Sequence, residues 1–255
     1  MVLYYAKGGS LNNLIKMDSS WYNDMNVLHW IIRGLKKIHE TNMVHHDFHI
    51  GNILLRYNND IYTYISDMGL CGEVGNVDVT NIYGVMPYVA PEVLRGKQYT
   101  QAADIYSFGM VMYFVATRRQ PFANCAHDQD LALSICNGIR PEITEKEAPK
   151  CYIDLMKKCW DPIPDNRPNA SEILESIQSI KRLKHSKNDK EKEIVKQFEE
   201  VYKYRSANLS PIENNQITTH PQAIYTSRLL NPYTKDLPKY DNIENNSVEV
   251  VDFTK

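Results

Sequence analysis

The stretch from residue 104 to residue 117 constrains the fold of this chain most. After its first residues it is almost entirely apolar, which is typical of a helix that is buried on most sides. From residue 21 to residue 41 the apolar residues instead recur at intervals of three and four, which predicts an amphipathic helix. Further helices are predicted at 128–137, 149–159 and 169–183, with prolines between them. The chain is therefore predicted to be mainly α, within an α+β arrangement.

A small β-hairpin is predicted inside this helical chain. Residues 53–56 and 61–65 read as short strands, and they flank residues 58–60, whose Asn and Asp side chains tolerate turn conformations. The hairpin carries Asn52 at one end and Asp67 at the other. Because the turn reverses the chain, both side chains return to the same end of the hairpin, where they can converge.

Asp47, which lies five residues before Asn52, adds a third polar group to this end of the hairpin. Phosphoryl transfer to a hydroxyl needs an acid that orients the acceptor and cations that cover the phosphates. Asp47 fits the first role, and Asn52 with Asp67 fits the binding of magnesium, which prefers oxygen ligands. Either Asp by itself is more simply explained as a turn or cap residue. Together they predict a phosphoryl-transfer site.

Composition excludes several other classes of function. A formal net charge of −2 provides no basic face for nucleic acid or an anionic membrane surface. No signal sequence and no apolar run of roughly 20 residues is present, so no membrane span is expected. The 5 cysteines include no Cys-x-x-Cys pair, which favours reduced thiols. The predicted location is the cytoplasm, with the nucleus as the alternative.

The acids belong to a longer series of motifs that resembles the eukaryotic protein kinases. The Trp-Asp-Pro and Arg-Pro forms look most like the tyrosine-kinase-like branch of the serine/threonine kinases. The resemblance covers about residues 1 to 180. In chain order the motifs are His45-His46-Asp47 with Asn52, Asp67-Met68-Gly69, Ala90-Pro91-Glu92, Asp104-Ile105-Tyr106-Ser107-Phe108-Gly109, and Cys159-Trp160-Asp161-Pro162 with Arg167-Pro168.

This resemblance implies a kinase-like C-terminal lobe and the transfer of phosphate from Mg-ATP to protein hydroxyls. Asp47 would be the catalytic residue that orients the acceptor, and Asn52 and Asp67 would hold the magnesium ion and its ATP. The resemblance also implies that Asp104 braces the backbone of the catalytic loop. Glu92 and Arg167 would form a partly buried ion pair that fixes the activation segment.

The resemblance places the adenine of ATP against the backbone of Tyr4 and Ala6, with Leu54 beneath it. The sequence contains no Gly-x-Gly-x-x-Gly loop and no Val-Ala-Ile-Lys strand, which in this family cover the phosphates. The N-terminal lobe is therefore expected to be absent, and the activity of the chain by itself is in doubt. A pseudokinase that acts as a binding module for a signalling partner is the alternative.

Two substitutions within the motifs modify this expectation. His46 replaces the Arg that grips a phosphorylated activation segment, so activity is predicted not to depend strongly on phosphorylation of Thr80 or Tyr83. His49 stands at the catalytic position where serine/threonine kinases usually carry a Lys on the transferring phosphate. The loss of that charge is expected to weaken transition-state stabilisation.

Small-molecule kinases of the antibiotic type share the first motifs, which makes them a second alternative. They have no counterpart of Ala-Pro-Glu, so the motifs at Glu92, Asp104 and Arg167 favour protein substrates.

Domain organisation follows from a change in composition near residue 183. Residues 1–183 are assigned to the kinase-like domain, and residues 184–255 to a charged and then low-complexity tail that is expected to be largely disordered. Within the tail, residues 224–230 concentrate aromatic and aliphatic side chains. They are the predicted contact site for a partner.

Overall fold

The computed structural model describes residues 6–16, 20–58, 60–74, 81–183, 189–208 and 219–238. Over these residues the chain is mainly helical, as predicted. The helices are α1 (Trp21–Glu40), α2 (Pro91–Leu94), α3 (Gln101–Thr117), α4 (Gln129–Cys136), α5 (Lys150–Cys159), α6 (Ala170–Arg182), α7 (Asp189–Asn208) and α8 (Asn231–Thr234). The strands are β1 (Met43–Val44), β2 (Ile53–Asn58), β3 (Asp60–Ile65), β4 (Gly72–Glu73), β5 (Tyr83–Gly84) and β6 (Arg228–Leu229).

Helix α3 occupies the centre of the core. All its residues from Ala103 to Thr117 are buried, which confirms a helix enclosed on most sides. It packs against α5 and α1. At Gly109 a Cβ atom would lie only 3.1 Å from the Cβ of Cys159, so glycine allows α3 and α5 to approach closely.

Helix α1 buries one face and ends at Glu40, one residue before the predicted end. Its buried residues contact α6 and strand β3. Helices α4, α5 and α6 each begin one residue after the predicted start, because Asp128, Pro149 and Asn169 are their N-cap residues. Asn169 forms a complete capping box with Glu172, which satisfies backbone N–H groups at the start of α6.

The predicted hairpin is present as the antiparallel pair β2–β3, with Ile53 opposite Ile65. Ser66 continues the pairing, since its backbone N–H donates to the carbonyl of Asn52 at 2.8 Å. The segment before the 3₁₀ helix Leu11–Lys16 lies beside β2: the Leu55 N–H donates to the carbonyl of Gly9 at 2.8 Å. Gly8 donates in turn to the carbonyl of Leu55, and a Cβ on Gly8 would lie 2.5 Å from that oxygen. Only glycine fits there.

The tail differs from the expected disorder in two described stretches. Helix α7 packs on α1, where the rings of Phe198 and Trp21 lie 5.5 Å apart, and Arg205 is almost fully buried. Residues 219–238 lie against the lobe with the side chain of Leu230 fully buried. Burial of these apolar groups offsets the entropy lost on ordering the chain. The rest of the tail lies outside the described residues.

Among the described residues, no helix combines the length and the apolar character that a membrane crossing requires. All five cysteines are described and none forms a disulfide.

Candidate active site

The loop that carries Asp47 is fixed by a buried carboxylate from α3. Asp104 accepts hydrogen bonds from the backbone N–H of His45 at 2.8 Å and of His46 at 3.3 Å. His39 lies on the same carboxylate at 3.0 Å. His46 adopts a φ of 71°, which is costly for a residue with a side chain. The bonds from Asp104 stabilise this conformation, which is the bracing role that the sequence resemblance implied.

His45 connects the loop to the end of the hairpin. Its Nδ1 accepts from the N–H of Asp47 at 3.3 Å, and its Nε2 lies 3.0 Å from the carbonyl of Ser66. The tautomer with hydrogen on Nε2 satisfies both contacts. Because Ser66 precedes Asp67, this buried ring connects the backbone at Asp47 to the backbone next to Asp67.

The carboxylate of Asp47 is buried among polar groups. The Asn52 amide donates to its Oδ2 at 3.3 Å and to its backbone carbonyl at 2.9 Å. Nε2 of His49 lies 3.5 Å from the same Oδ2. Nδ1 of His49 accepts from the Gly51 N–H at 3.1 Å, so Nε2 carries the hydrogen and directs it toward Asp47. Asp47, His49 and Asn52 therefore lie together in one polar cluster.

The pKa of Asp47 is lowered despite its burial. Burial by itself raises this pKa, but the hydrogen bond and the electrostatic interaction with the His49 ring outweigh it, with smaller contributions from the Ser227 side chain and from His45. The carboxylate is therefore ionised near neutral pH. An ionised carboxylate at this point can orient an acceptor hydroxyl and receive its proton.

Asn52 and Asp67 lie at the same end of the hairpin, because Ser66 is hydrogen-bonded to the Asn52 carbonyl through both its N–H and its hydroxyl. Asp67 is exposed, has a φ of 58° and does not cap the following 3₁₀ helix. An amide and a carboxylate are suitable ligands for magnesium when phosphate and water supply the remaining oxygens. Among the described residues, no group of three or more His, Cys, Asp and Glu side chains forms a metal site.

The predicted adenine-binding residues are described only in part. Tyr4 lies outside the described residues. Ala6 and Leu54 are both half-buried. They lie on neighbouring segments, since Ser10 forms a β-bridge with Leu54 and the Leu55 N–H donates to Gly9.

The ion pair between Glu92 and Arg167 is present and buried. The two guanidinium nitrogens Nη1 and Nη2 lie 2.7 and 2.8 Å from the two carboxylate oxygens. Arg167 also donates to the carbonyls of Ala102 at 2.9 Å and Asp161 at 2.8 Å. This bidentate pair fixes the end of the activation segment to the helical core.

His46 stacks on Tyr99, with 4.7 Å between ring centroids. Burial lowers the pKa of His46, and the negative charge of Asp104 offsets this decrease only in part. The ring is therefore mainly neutral near pH 7, unlike an Arg. Of the two sites whose phosphorylation was considered, Thr80 lies outside the described residues and Tyr83 is exposed in β5.

The sequence did not connect the tail with this site. In the structure β6 pairs with β5, so that Arg228 lies opposite Gly84. A Cβ on Gly84 would lie 3.6 Å from Oδ1 of Asp47, and the Ser227 side chain contributes to the lowered pKa of Asp47. The cluster of apolar residues at 224–230 was the only signal in the sequence, and it indicated a contact without naming its place.

Comparisons with known proteins agree with these motifs. A family profile described as "Protein kinase domain" matches residues 1–178. The chain is 30% identical over 183 residues to a putative serine/threonine-protein kinase/receptor of Acanthamoeba polyphaga mimivirus, covering 71% of this chain and 11% of the relative. It is 31% identical over 185 residues to a probable serine/threonine-protein kinase of Dictyostelium discoideum, covering 71% and 13%.

A human relative, mitogen-activated protein kinase kinase kinase 7, is 29% identical over 191 residues, covering 71% of this chain and 31% of the relative. The matched part of the chain thus corresponds to between about a tenth and a third of the length of these curated relatives.

Proposed function

This chain belongs to the protein kinase family, and on that premise we propose that it transfers the terminal phosphate of Mg-ATP to serine or threonine hydroxyls of proteins. The observation that carries this proposal is the buried, ionised Asp47, which is held by Asn52 and His49 beside the end of the hairpin that bears Asp67. The adjacent Glu92–Arg167 pair supports a protein acceptor rather than a small molecule, since it fixes the segment that follows the acceptor site.

The residues of this chain have separate roles in the proposed reaction. Mg-ATP supplies the phosphoryl group and neutralises its charge when it is bound. Asn52 and Asp67 would hold the magnesium ion, and Ala6, Leu54 and Tyr4 would contact the adenine. Asp47 orients the acceptor hydroxyl and takes its proton.

His49 accounts for a lower expected rate. Its Nε2–H is directed at Asp47, whereas a Lys at this position places a permanent charge on the transferring phosphate. Asp47 is better oriented by this contact, but the transition state has one cation less. This observation also favours the second candidate, a pseudokinase that binds nucleotide and partners without transfer.

We infer that residues 1–183 are the large lobe of a kinase of the tyrosine-kinase-like branch. The branch is supported by the Trp160-Asp161-Pro162 and Arg167-Pro168 motifs. The arrangement of α1, the hairpin and α3 around Asp47 supports the large lobe. Residues that cover the phosphates in this family are not found in the sequence, so we propose that this chain forms one wall of the ATP site.

Transfer of labelled terminal phosphate from ATP to a general acceptor protein in the presence of magnesium tests the proposal. We expect Asp47→Asn to lower the rate about 10²- to 10⁴-fold. The matched control is Asp60→Asn, which changes an exposed carboxylate at the far end of the same hairpin and is expected to leave the rate unchanged. Equal rates for Asp47→Asn and wild type contradict the proposal.

Calorimetric titration with Mg-ATP separates the kinase from the pseudokinase. We expect Asp67→Asn to weaken Mg-ATP binding and the Asp60→Asn control to leave it unchanged. Binding that depends on Asp67 without any transfer supports the pseudokinase. Binding that is indifferent to Asp67 contradicts the assigned magnesium site.

A further inference from the structure

The tail segment 219–238 is attached to the lobe at several independent points beside the active site. The His220 N–H donates to the carbonyl of Ala123 at 2.8 Å. The hydroxyl of Tyr225 donates to the carbonyl of Pro121 at 2.9 Å. The side chain of Arg228 donates to the carbonyl of His127. These acceptors all belong to the connection between α3 and α4, so the segment follows one side of the lobe.

The tail then continues as strand β6 beside β5, in the part of the chain just before the Ala90-Pro91-Glu92 motif. β6 is antiparallel to β5, with Tyr83 opposite Leu229. The Leu230 N–H donates to the carbonyl of Ile82 at 2.7 Å, and the Ile82 N–H donates to Oδ1 of Asn231 at 2.8 Å. Leu230 is fully buried. Backbone pairing combined with a buried apolar anchor is the mode by which extended peptides bind to a strand edge.

This pairing places Ser227 next to the catalytic carboxylate. Arg228, the residue after Ser227, lies opposite Gly84. A Cβ on Gly84 would be 3.6 Å from Oδ1 of Asp47. The Ser227 side chain also contributes to the lowered pKa of Asp47, which agrees with this position. Ser227 is exposed.

We propose that residues 219–238 form an intramolecular acceptor strand, in which Ser227 is the acceptor hydroxyl at Asp47. The inference rests on the proposed kinase function and deepens it, since it identifies the acceptor groove and its occupant. In the reaction, Oγ of Ser227 forms a bond to the terminal phosphorus of ATP. The bond from that phosphorus to the bridging oxygen breaks, ADP leaves, and the hydroxyl proton passes to Asp47.

The strand also defines what an external acceptor requires. It presents a hydroxyl residue followed by a basic residue and two apolar residues, Arg228, Leu229 and Leu230. The third residue after the hydroxyl contributes most, because Leu230 is buried whereas Leu229 is exposed.

Amide hydrogen exchange of the full chain without nucleotide tests the place of the strand independently of catalysis. We expect slow exchange at Leu230 and Ile82. Leu230→Asp is expected to accelerate both amides about tenfold or more, because the fully buried apolar side chain is replaced by a charged one. Leu229→Asp is the matched control, since Leu229 is exposed, and both amides should stay slow.

Amides of α3 are measured in the same experiment, and slow exchange there shows that the lobe of the Leu230→Asp variant remains folded. Equal exchange at Leu230 and Ile82 in the wild type and in Leu230→Asp, with α3 protected, overturns the proposal.

Mass spectrometry after incubation with Mg-ATP tests the acceptor role. We expect phosphate on Ser227, incorporated at a rate per molecule that is independent of chain concentration. Thr226→Ala should retain this phosphate, whereas Ser227→Ala should lose it. Phosphate on other residues or on an added protein, with none on Ser227, overturns the acceptor role. If no protein is phosphorylated, the proposed function fails for this chain, and hydrogen exchange still decides the place of the strand.

Discussion

Two buried carboxylates in this lobe are neutralised by arginine, but in different ways. Among the described residues, Arg167 is the one cation on Glu92, and it contacts both carboxylate oxygens. On the same basis Asp24 has two, with Arg118 on Oδ1 and Arg205 on Oδ2, the latter at 2.9 Å. Both carboxylates are almost fully buried. Loss of Arg167 would therefore leave Glu92 without a cation, whereas Asp24 keeps one cation if either of its arginines is lost.

The two clusters also connect different parts of the chain. Glu92 and Arg167 lie within the recognised kinase motifs and fix the activation segment. Asp24 belongs to α1, Arg118 follows α3, and Arg205 belongs to the tail helix α7. The second cluster thus attaches the tail to the lobe. The comparison shows that the same chemistry can stabilise the lobe itself or an addition to it.

The largest effect is expected for Arg167→Met, which leaves Glu92 buried without a partner. We expect a loss of about 3–5 kcal/mol in the free energy of unfolding, measured by urea denaturation. The double variant Arg167→Met/Glu92→Leu should regain most of this loss, because no buried charge then remains. A loss below about 1 kcal/mol for the single variant would show that water reaches the pair.

A smaller effect is expected for Arg205→Met, although Arg205 is as buried as Arg167. Asp24 keeps Arg118, so the main loss is the contact of the guanidinium with the Trp21 ring, 4.7 Å away. Burial lowers the pKa of Arg205, which indicates that its charge is costly. We expect a loss of about 1–2 kcal/mol by urea denaturation. A loss equal to that of Arg167→Met would show that Arg118 alone does not neutralise Asp24.

His46 offers a contrast with the arginines, because its charge depends on pH. Burial lowers its pKa in the folded state, so the unfolded chain binds the proton more readily. Its contribution to stability is therefore complete above the unfolded pKa of about 6.5 and is lost as the pH falls toward the folded pKa. We expect urea midpoints to decline between pH 7 and pH 5.5, and less steeply in His46→Gln.

Part of that decline should persist in His46→Gln, since burial also lowers the pKa values of His29 and His127. An identical decline in wild type and variant would contradict the assignment to His46.

The smallest effect is expected for an exposed ion pair. Lys150 and Asp154 lie 3.1 Å apart on the surface of α5. Solvent screens such a pair, so Lys150→Met should change the free energy of unfolding by no more than about 0.5 kcal/mol. A change comparable to that of Arg205→Met would mean that burial does not govern the ranking of these pairs.

Local patterns predicted much of the fold. The amphipathic α1, the apolar α3, the hairpin and helices α4 to α6 each arise from neighbouring residues, so their patterns are visible in the sequence. The placement of Asn52 and Asp67 at the same end of the hairpin also follows from one turn. The Glu92–Arg167 pair was expected through the family motifs, since no local pattern joins residues so far apart.

The packing of the tail could not be predicted in this way. Its composition is polar and indicates disorder, and its few apolar groups gain stability only when the lobe receives them. Arg205 is a surface residue in an isolated helix and becomes a buried ion only against Asp24. Similarly, no local pattern around Ser227 indicates a position near Asp47, because that position depends on the pairing of β6 with β5.

The sequence by itself determined the elements, the acids of the proposed site and the family, because these depend on residue type and short spacing. Only the tertiary structure decided that α7 is bound through Asp24 and that β6 pairs with β5. Both contacts join residues far apart in the chain, and their stability depends on desolvation and backbone pairing that exist only in the assembled lobe.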